Sequence, residues 1–177
     1  MTPSREDCLR LIKECGMLEH IIDHSLAVAK VALYLSEELN KKGQRIDLCL
    51  VEAAALLHDL TKTECLKTKE DHALTGSKLL REIGFERVGE VVGEHVHLSK
   101  EMNPSIVSEE EVVNYSDKRV KHSRIVSLME RFEDLGERYG KNPRAIDRLE
   151  DLKKATLEIE KKIFSILGKA PCDIDDL

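Results

Sequence analysis

Four histidines and two aspartates lie where helical periodicity would otherwise place apolar side chains. His24 stands in the apolar stripe of one predicted helix, and His58 ends the most apolar helix of the sequence, directly followed by Asp59. His95 and Asp117 each share a predicted helix face with valines three or four positions away. His72 likewise shares a face with small and apolar residues. Polar groups on inward helix faces need polar or metal partners in the interior. These six residues are therefore the candidates for a functional site.

A buried charge without a partner costs roughly 3–5 kcal/mol. A single inward histidine is more often a core residue bonded to a backbone carbonyl, but that explanation would have to hold on several helices at once. A divalent cation would satisfy the whole set, because neutral imidazoles and carboxylates are its usual ligands. The sequence therefore predicts a metal site formed by the inward groups on five helices, with these ligands: His24, His58, His72, His95 and Asp117.

The elements that must hold these residues are helices. We predict an all-α single domain over residues 1–177, with a core at about 18–125, an added N-terminal helix at 4–15 and added C-terminal helices at 126–168. Ser4 followed by Asp7 predicts a capped first helix, and Pro143 fits the first turn of the last helix. Residues 61–70 and 98–108 are predicted loops, and the acidic tail 171–177 is predicted to be frayed.

Composition excludes several classes of protein. The net charge of −6, with three tyrosines, three phenylalanines and no tryptophan, argues against general nucleic-acid binding. No apolar run approaches the roughly 18 residues of a membrane span. The five cysteines form no C-x-x-C pair, which predicts a reduced, cytoplasmic protein.

The order of the inward residues resembles that of the HD superfamily of metal-dependent phosphohydrolases. His24, the doublet His58-Asp59 and Asp117 follow one another on successive predicted helices, and the local strings agree: DHSLAVAKVA, AALLHDLTK, DHALTGSKLL and YSDKRV. The resemblance covers about residues 20–124 and implies an HD-domain bundle of about five core helices, with extra helices at both ends.

The resemblance also implies roles for single residues. His24, His58, Asp59 and Asp117 match the ligands of a first metal, and Asp59 matches the carboxylate that bridges to a second. The additional ligands of binuclear members are matched by His72 and His95. This chain has HDLTK where many relatives have HDIGK, so it keeps Lys62. No Gly-Tyr-Pro string follows His95, and this absence disfavours cyclic-dinucleotide hydrolysis.

The resemblance thus implies a metal-dependent phosphohydrolase that cleaves a phosphoester or phosphoanhydride of a small substrate, expected to be a nucleotide. Asp59 and Lys62 are the predicted catalytic residues, and the predicted cofactors are two divalent transition-metal ions, chosen from Fe, Mn, Co, Ni or Zn. Two alternatives stay open: an HD-fold diiron oxygenase, and a non-enzymatic regulatory module. No nucleic-acid or membrane partner is expected.

Further residues could have functional roles, but each also fits an ordinary surface or packing role. The basic residues Lys118, Arg119, Lys121 and Arg124 could face substrate phosphates, although helical spacing spreads them over more than one face. His97 could be an alternative metal ligand or a proton donor behind the ligands, and His20 could lie behind the ligands or on the surface. His122 is expected to be exposed. The apolar stripe of the last helix is expected to pack on its own bundle in preference to a homodimer seam.

Overall fold

The computed structural model describes residues 1–99 and 103–177, and its regular elements are almost all helical. The helices are α1 (Arg5–Glu14), α2 (Glu19–Lys41), α3 (Leu48–Leu57), α4 (Lys62–Thr68), α5 (His72–Glu82), α6 (Glu86–Gly93), α7 (Glu109–Lys118), α8 (Leu128–Tyr139) and α9 (Pro143–Leu167). A short antiparallel pair, β1 (Val120–Lys121) and β2 (Arg124–Ile125), connects α7 to α8, and a 3₁₀ turn (Pro171–Ile174) follows α9. The predicted all-α class is confirmed.

Helix starts follow the capping residues of the sequence. Ser4 accepts a hydrogen bond from the Asp7 backbone, and the Asp7 carboxylate accepts one from the Ser4 backbone, forming the predicted capping box of α1. Asp47 caps α3, and Asn142 caps α9 with Pro143 in its first turn.

Helix α3 is the central element of the bundle. Seven of its ten residues are buried, and it packs against α1, α2, α6 and α7. A helix that is apolar on nearly all sides can only be stable in such surroundings. Because His58 caps its C-terminus and Asp59 follows, both polar residues emerge at the centre of the bundle, where each is 1% exposed.

The close packing of α5 against α6 depends on a glycine. A Cβ atom at Gly89 would lie 2.7 Å from the backbone oxygen of Ser77, a separation that side chains do not tolerate. The missing side chain lets the two helices approach, and that approach brings His72, the first residue of α5, toward His95, just beyond α6. Gly89 therefore contributes to the positions of two candidate ligands.

Two local expectations are corrected by the structure. Residues 62–68 form helix α4 where a loop is predicted, because Thr and Lys composition is a weak guide to a short helix whose Cys65 is buried. The strand pair between α7 and α8 has no counterpart among the predictions, since it is too short to show an alternating pattern in the sequence. The tail is anchored and not frayed, since Ile174 is fully buried and Asp175 accepts a hydrogen bond from Arg119. The predicted loop at 98–108 is partly outside the described residues.

Helix α9 packs against α2, α7 and α8 of the same chain. The C-terminal half of α9 buries Thr156, Ile159, Ile163 and Leu167, in agreement with the expectation that its apolar stripe packs on its own bundle. Near the start of the helix, Ile146 is 49% exposed. Among the described residues no helix is both long enough and apolar enough to cross a membrane. Homodimer formation and the division into core and added helices stay predictions.

Arg119 is a buried cation that ties the C-terminal part of the chain to α7. Its side chain is 1% exposed. The guanidinium donates to the Val126 carbonyl at 2.7 Å, to the Tyr115 hydroxyl at 2.6 Å and to Asp175 at 2.5 Å. Of the two roles that the sequence left open for Arg119, these hydrogen bonds support the structural one over contact with substrate phosphates.

Replacing Arg119 by methionine should lower the free energy of unfolding by about 2–3 kcal/mol, because buried acceptors would lose a charged donor. Urea unfolding followed by circular dichroism measures this loss. The Asp175→Asn variant is the control and should cost less, since the Asp175 side chain is 44% exposed. An R119M variant as stable as the wild-type protein would contradict the structural role.

Candidate metal centre

One group of candidate ligands lies where α2, α3 and α7 meet. Nε2 of His24 is 2.9 Å from Oδ1 of Asp117. Nε2 of His58 is 3.6 Å from the same oxygen and 3.4 Å from Oδ2 of Asp59. His24, His58 and Asp59 can place one ligand atom each within 4.8 Å of one another, which is the spacing of a metal-binding group.

A second group shares Asp59 with the first. Oδ1 of Asp59 is 3.3 Å from Nε2 of His72 and 3.8 Å from Nε2 of His95. The two imidazole nitrogens are 3.3 Å apart, and Asp59, His72 and His95 again fit the spacing of a metal-binding group. The two carboxylate oxygens of Asp59 thus face two different sets of histidines, which is the arrangement a bridging ligand requires.

Backbone carbonyls fix the orientation of three imidazole rings. Nδ1 of His58 donates to the Ala55 carbonyl at 2.8 Å, and Nδ1 of His95 donates to the Val92 carbonyl at 2.6 Å. Nδ1 of His24 donates to the carbonyl of His122 at 2.9 Å. With the proton of the neutral ring on Nδ1, the Nε2 lone pair points into the site, as it does in metal-ligating histidines.

Two buried atoms of this cluster lack hydrogen-bond partners within residues 1–99 and 103–177. They are Nε2 of His58 and Oδ1 of Asp59. Leaving such groups unsatisfied in the interior costs about 1–3 kcal/mol each, and more for a charged group. A divalent cation would satisfy both atoms, so the donor set fits the metal that the sequence predicts.

The pKa values show how strongly the cluster interacts without a cation. Burial would lower the pKa of His58, but the adjacent carboxylates of Asp59 and Asp117 outweigh it and raise the pKa to about 10. Burial, reinforced by the positive charge of His58, lowers the pKa of His95 to about 3. Burial opposes ionisation of Asp59, yet His58, His72 and Lys62 hold its pKa well below the usual value. Burial likewise opposes ionisation of Asp117, but Lys118, His24 and His58 hold its pKa well below the usual value. Both carboxylates are therefore ionised, and a cation bound at this site would replace the Nε2 proton that His58 carries without a metal.

Two lysines contact the candidate carboxylate ligands. Nζ of Lys62, the first residue of α4, donates to Oδ2 of Asp59 at 2.7 Å. Nζ of Lys118 donates to Oδ2 of Asp117 at 2.9 Å and to the backbone oxygen of His95 at 2.7 Å. Lys118 therefore links ligands from both groups.

Several residues support the candidate ligands in ways that the sequence did not indicate. Lys118 is one of them, and Asn114 is another, since its amide donates to the backbone oxygens of Glu94 and His95 at 3.0 Å each. The backbone of His122, with φ of +57°, was not foreseen as the partner of His24, although its side chain is exposed as expected. His20 and His97 are exposed and lie outside both metal-binding groups.

Comparison with known proteins identifies the family of this helical bundle. The HD domain family model matches residues 21–135, which is more than half of the chain. The chain belongs to the HD domain family. The match spans α2 to α8 and includes all six candidate ligands as well as Lys62.

Two curated relatives match almost the whole chain. The protein named tRNA (cytidine(56)-2'-O)-methyltransferase of Thermoplasma volcanium is 26% identical over 187 aligned residues, and its counterpart in Picrophilus torridus is 28% identical over 196. Both alignments cover 99% of this chain but 50% of the relative. This HD domain protein therefore spans about half the length of the curated relatives it matches. No solved structure matches it significantly.

Proposed function

We propose that this HD domain protein is a metal-dependent phosphohydrolase that cleaves a phosphoester or phosphoanhydride of a small, nucleotide-like substrate. The observation that carries the proposal is the position of Asp59, whose two oxygens face two separate histidine groups at 3.3–3.8 Å. Family membership supports metal-dependent hydrolysis in general terms. The methyltransferase name of the relatives belongs to proteins about twice as long, so it is not carried over to this chain.

The candidate residues have separate roles in this proposal. His24, His58, Asp59 and Asp117 would hold one divalent ion, and Asp59, His72 and His95 would hold a second. When bound, such ions lower the pKa of a water molecule and stabilise charge on a phosphoryl oxygen. Lys62 keeps Asp59 ionised and in place, and its ammonium group, 31% exposed, can also face a substrate phosphate. No serine or cysteine nucleophile is needed.

An activity screen tests the proposal. The purified protein should release phosphate from at least one nucleotide, dinucleoside polyphosphate or generic phosphoester in the presence of Mn, Fe, Co, Ni or Zn, and chelation should abolish the release. Because the relatives are named for tRNA, total tRNA belongs in the substrate set. Dioxygen consumption without phosphate release would favour the oxygenase alternative, and neither activity across the screen would contradict the proposal.

A further inference from the structure

The candidate metal centre opens into two adjoining cavities of about 340 and 210 Å³. The larger is near the lower end of the range for small-molecule sites. His72, His95 and Asp117 line the larger cavity, and His24 lines the smaller. Six residues line both: Asp59, Lys62, Leu66, Arg131, Leu135 and Tyr139. The two cavities therefore form one cleft, and three of the shared residues, Arg131, Leu135 and Tyr139, belong to α8.

The α8 wall combines apolar and cationic groups. Leu135 and the half-exposed ring of Tyr139 provide an apolar surface suited to a flat organic group. Arg131 stands beside them and is 9% exposed, so it is a cation held largely out of water against the cleft.

Arg131 has few partners for a buried guanidinium. Its Nη1 donates to Oδ2 of Asp134 at 3.1 Å, and its buried Nε has no acceptor among the residues that the structure describes. Asp134 is shared, because Arg138 also contacts it at 3.1 Å and Lys121 approaches it at 4.0 Å. Lys121 is further balanced by Glu130 at 3.5 Å. Two arginines thus share one carboxylate, and Arg131 and Arg138 are the charged residues of α8 that line the described cleft.

The cations of the cleft fall into two sets. Lys62 and Lys118 each bond a candidate metal ligand, whereas no hydrogen bond joins Arg131 to any of the six candidate ligands in the described structure. Glu70, an acid lining the cleft outside the metal groups, is exposed and hydrogen bonds to Thr68. A substrate anion near Arg131 would therefore meet a cation that the metal centre does not use.

We infer that Arg131, assisted by Arg138, binds a second anionic group of the substrate, separate from the phosphoryl group that is cleaved. This rests on the proposed function. A planar guanidinium recognises phosphoryl and carboxylate oxygens through paired N–H donors, which a lysine cannot reproduce. The substrate class is then a small organic phosphate with at least two anionic groups and one flat, apolar part that contacts Leu135 and Tyr139.

Binding of two non-reacting probes tests this inference without requiring turnover. The first, called the AMP probe, is the 5′-methylenephosphonate analogue of AMP, whose single phosphonate group is attached through a C–P bond that cannot be hydrolysed. The second, adenosine 5′-(α,β-methylene)diphosphate, carries two phosphorus groups joined by a methylene bridge that cannot be hydrolysed. Titration calorimetry with the full chain, as purified with its metal, should show tighter binding of the diphosphate probe. Arg131→Gln should weaken the diphosphate probe by about tenfold or more and the AMP probe by less than about twofold.

The controls separate recognition from structural damage. Arg148→Gln, an exposed arginine on α9 outside both cavities, should leave both affinities unchanged. Arg131→Lys should restore the diphosphate preference only in part. If R131Q does not fold, R138Q must show the same selective loss of affinity for the diphosphate probe. The Arg138 side chain is 43% exposed, so its replacement should leave the fold intact.

Three results would overturn the inference: a wild-type protein that does not prefer the diphosphate probe, equal weakening of both probes by R131Q, or no weakening at all. The proposed function fails separately, through the absence of phosphate release in the activity screen. A protein that releases no phosphate in the screen but still prefers the diphosphate probe would therefore remove the hydrolase proposal and leave Arg131 as an anion-binding residue.

Discussion

Replacing Asp59 by asparagine should reduce phosphate release by at least about 100-fold, the range seen when one preorganised charge-stabilising group is lost from an active site. Asparagine keeps the size of the side chain but removes the negative charge that faces both histidine groups. It also removes the salt bridge with Lys62, whose Nζ is 2.7 Å from Oδ2. Initial rates on the best substrate of the screen, at saturating metal, measure the effect.

The matched control is Asp23→Asn, because Asp23 precedes His24 on α2 but is exposed. That variant should retain the wild-type rate. Circular dichroism should show that both variants keep their helical content. An Asp59→Asn variant with wild-type turnover would remove Asp59 from the catalytic centre.

Substituting His72 by alanine should reduce the metal content by about one ion per chain and leave the other ion bound. His72 belongs only to the second group, so the first group of ligands remains complete. Its side chain is 27% exposed, and its loss should therefore disturb packing less than the loss of the fully buried His95. Elemental analysis of the purified variants measures the change.

His97→Ala serves as the control, since His97 is exposed, two residues from His95 and outside both groups. Its metal content should equal that of the wild-type protein. His95→Ala should reproduce the loss seen with His72→Ala. If the wild-type protein holds one ion and both variants hold the same amount, His72 and His95 are packing residues and not ligands of a second metal.

The helices that carry strong local signals could be predicted from the sequence. Ser4 and Asp7 define the start of α1, and Pro143 with Gly168 brackets α9, because caps and left-handed glycines act through neighbouring residues only. The apolar run of α3 likewise predicted a central helix ending at His58. These signals involve residues that are close in sequence, so they can be read without knowledge of the fold.

Features that depend on distant partners could not be predicted. Arg119 binds Asp175, 56 residues away, and this contact orders a tail whose composition suggests disorder. Lys118 and the His95 carbonyl, 23 residues apart in sequence, meet only in the folded chain. Helix α4 likewise has a distant partner, because the Leu18 backbone donates to the Thr63 hydroxyl at 3.1 Å. For the candidate ligands, inward helical faces predicted that the residues would meet, whereas the bridging position of Asp59 was expected from the family resemblance alone.

The metal content of the wild-type protein tests the central claim most directly. Protein purified without chelators should contain close to two transition-metal ions per chain by elemental analysis, because two groups of buried nitrogen and oxygen ligands share Asp59. Adding Mn or Fe to chelator-treated protein should raise its melting temperature, since a ligand that binds the folded state stabilises it. Protein that contains no metal, and whose melting temperature does not respond to added Mn or Fe, would contradict the account.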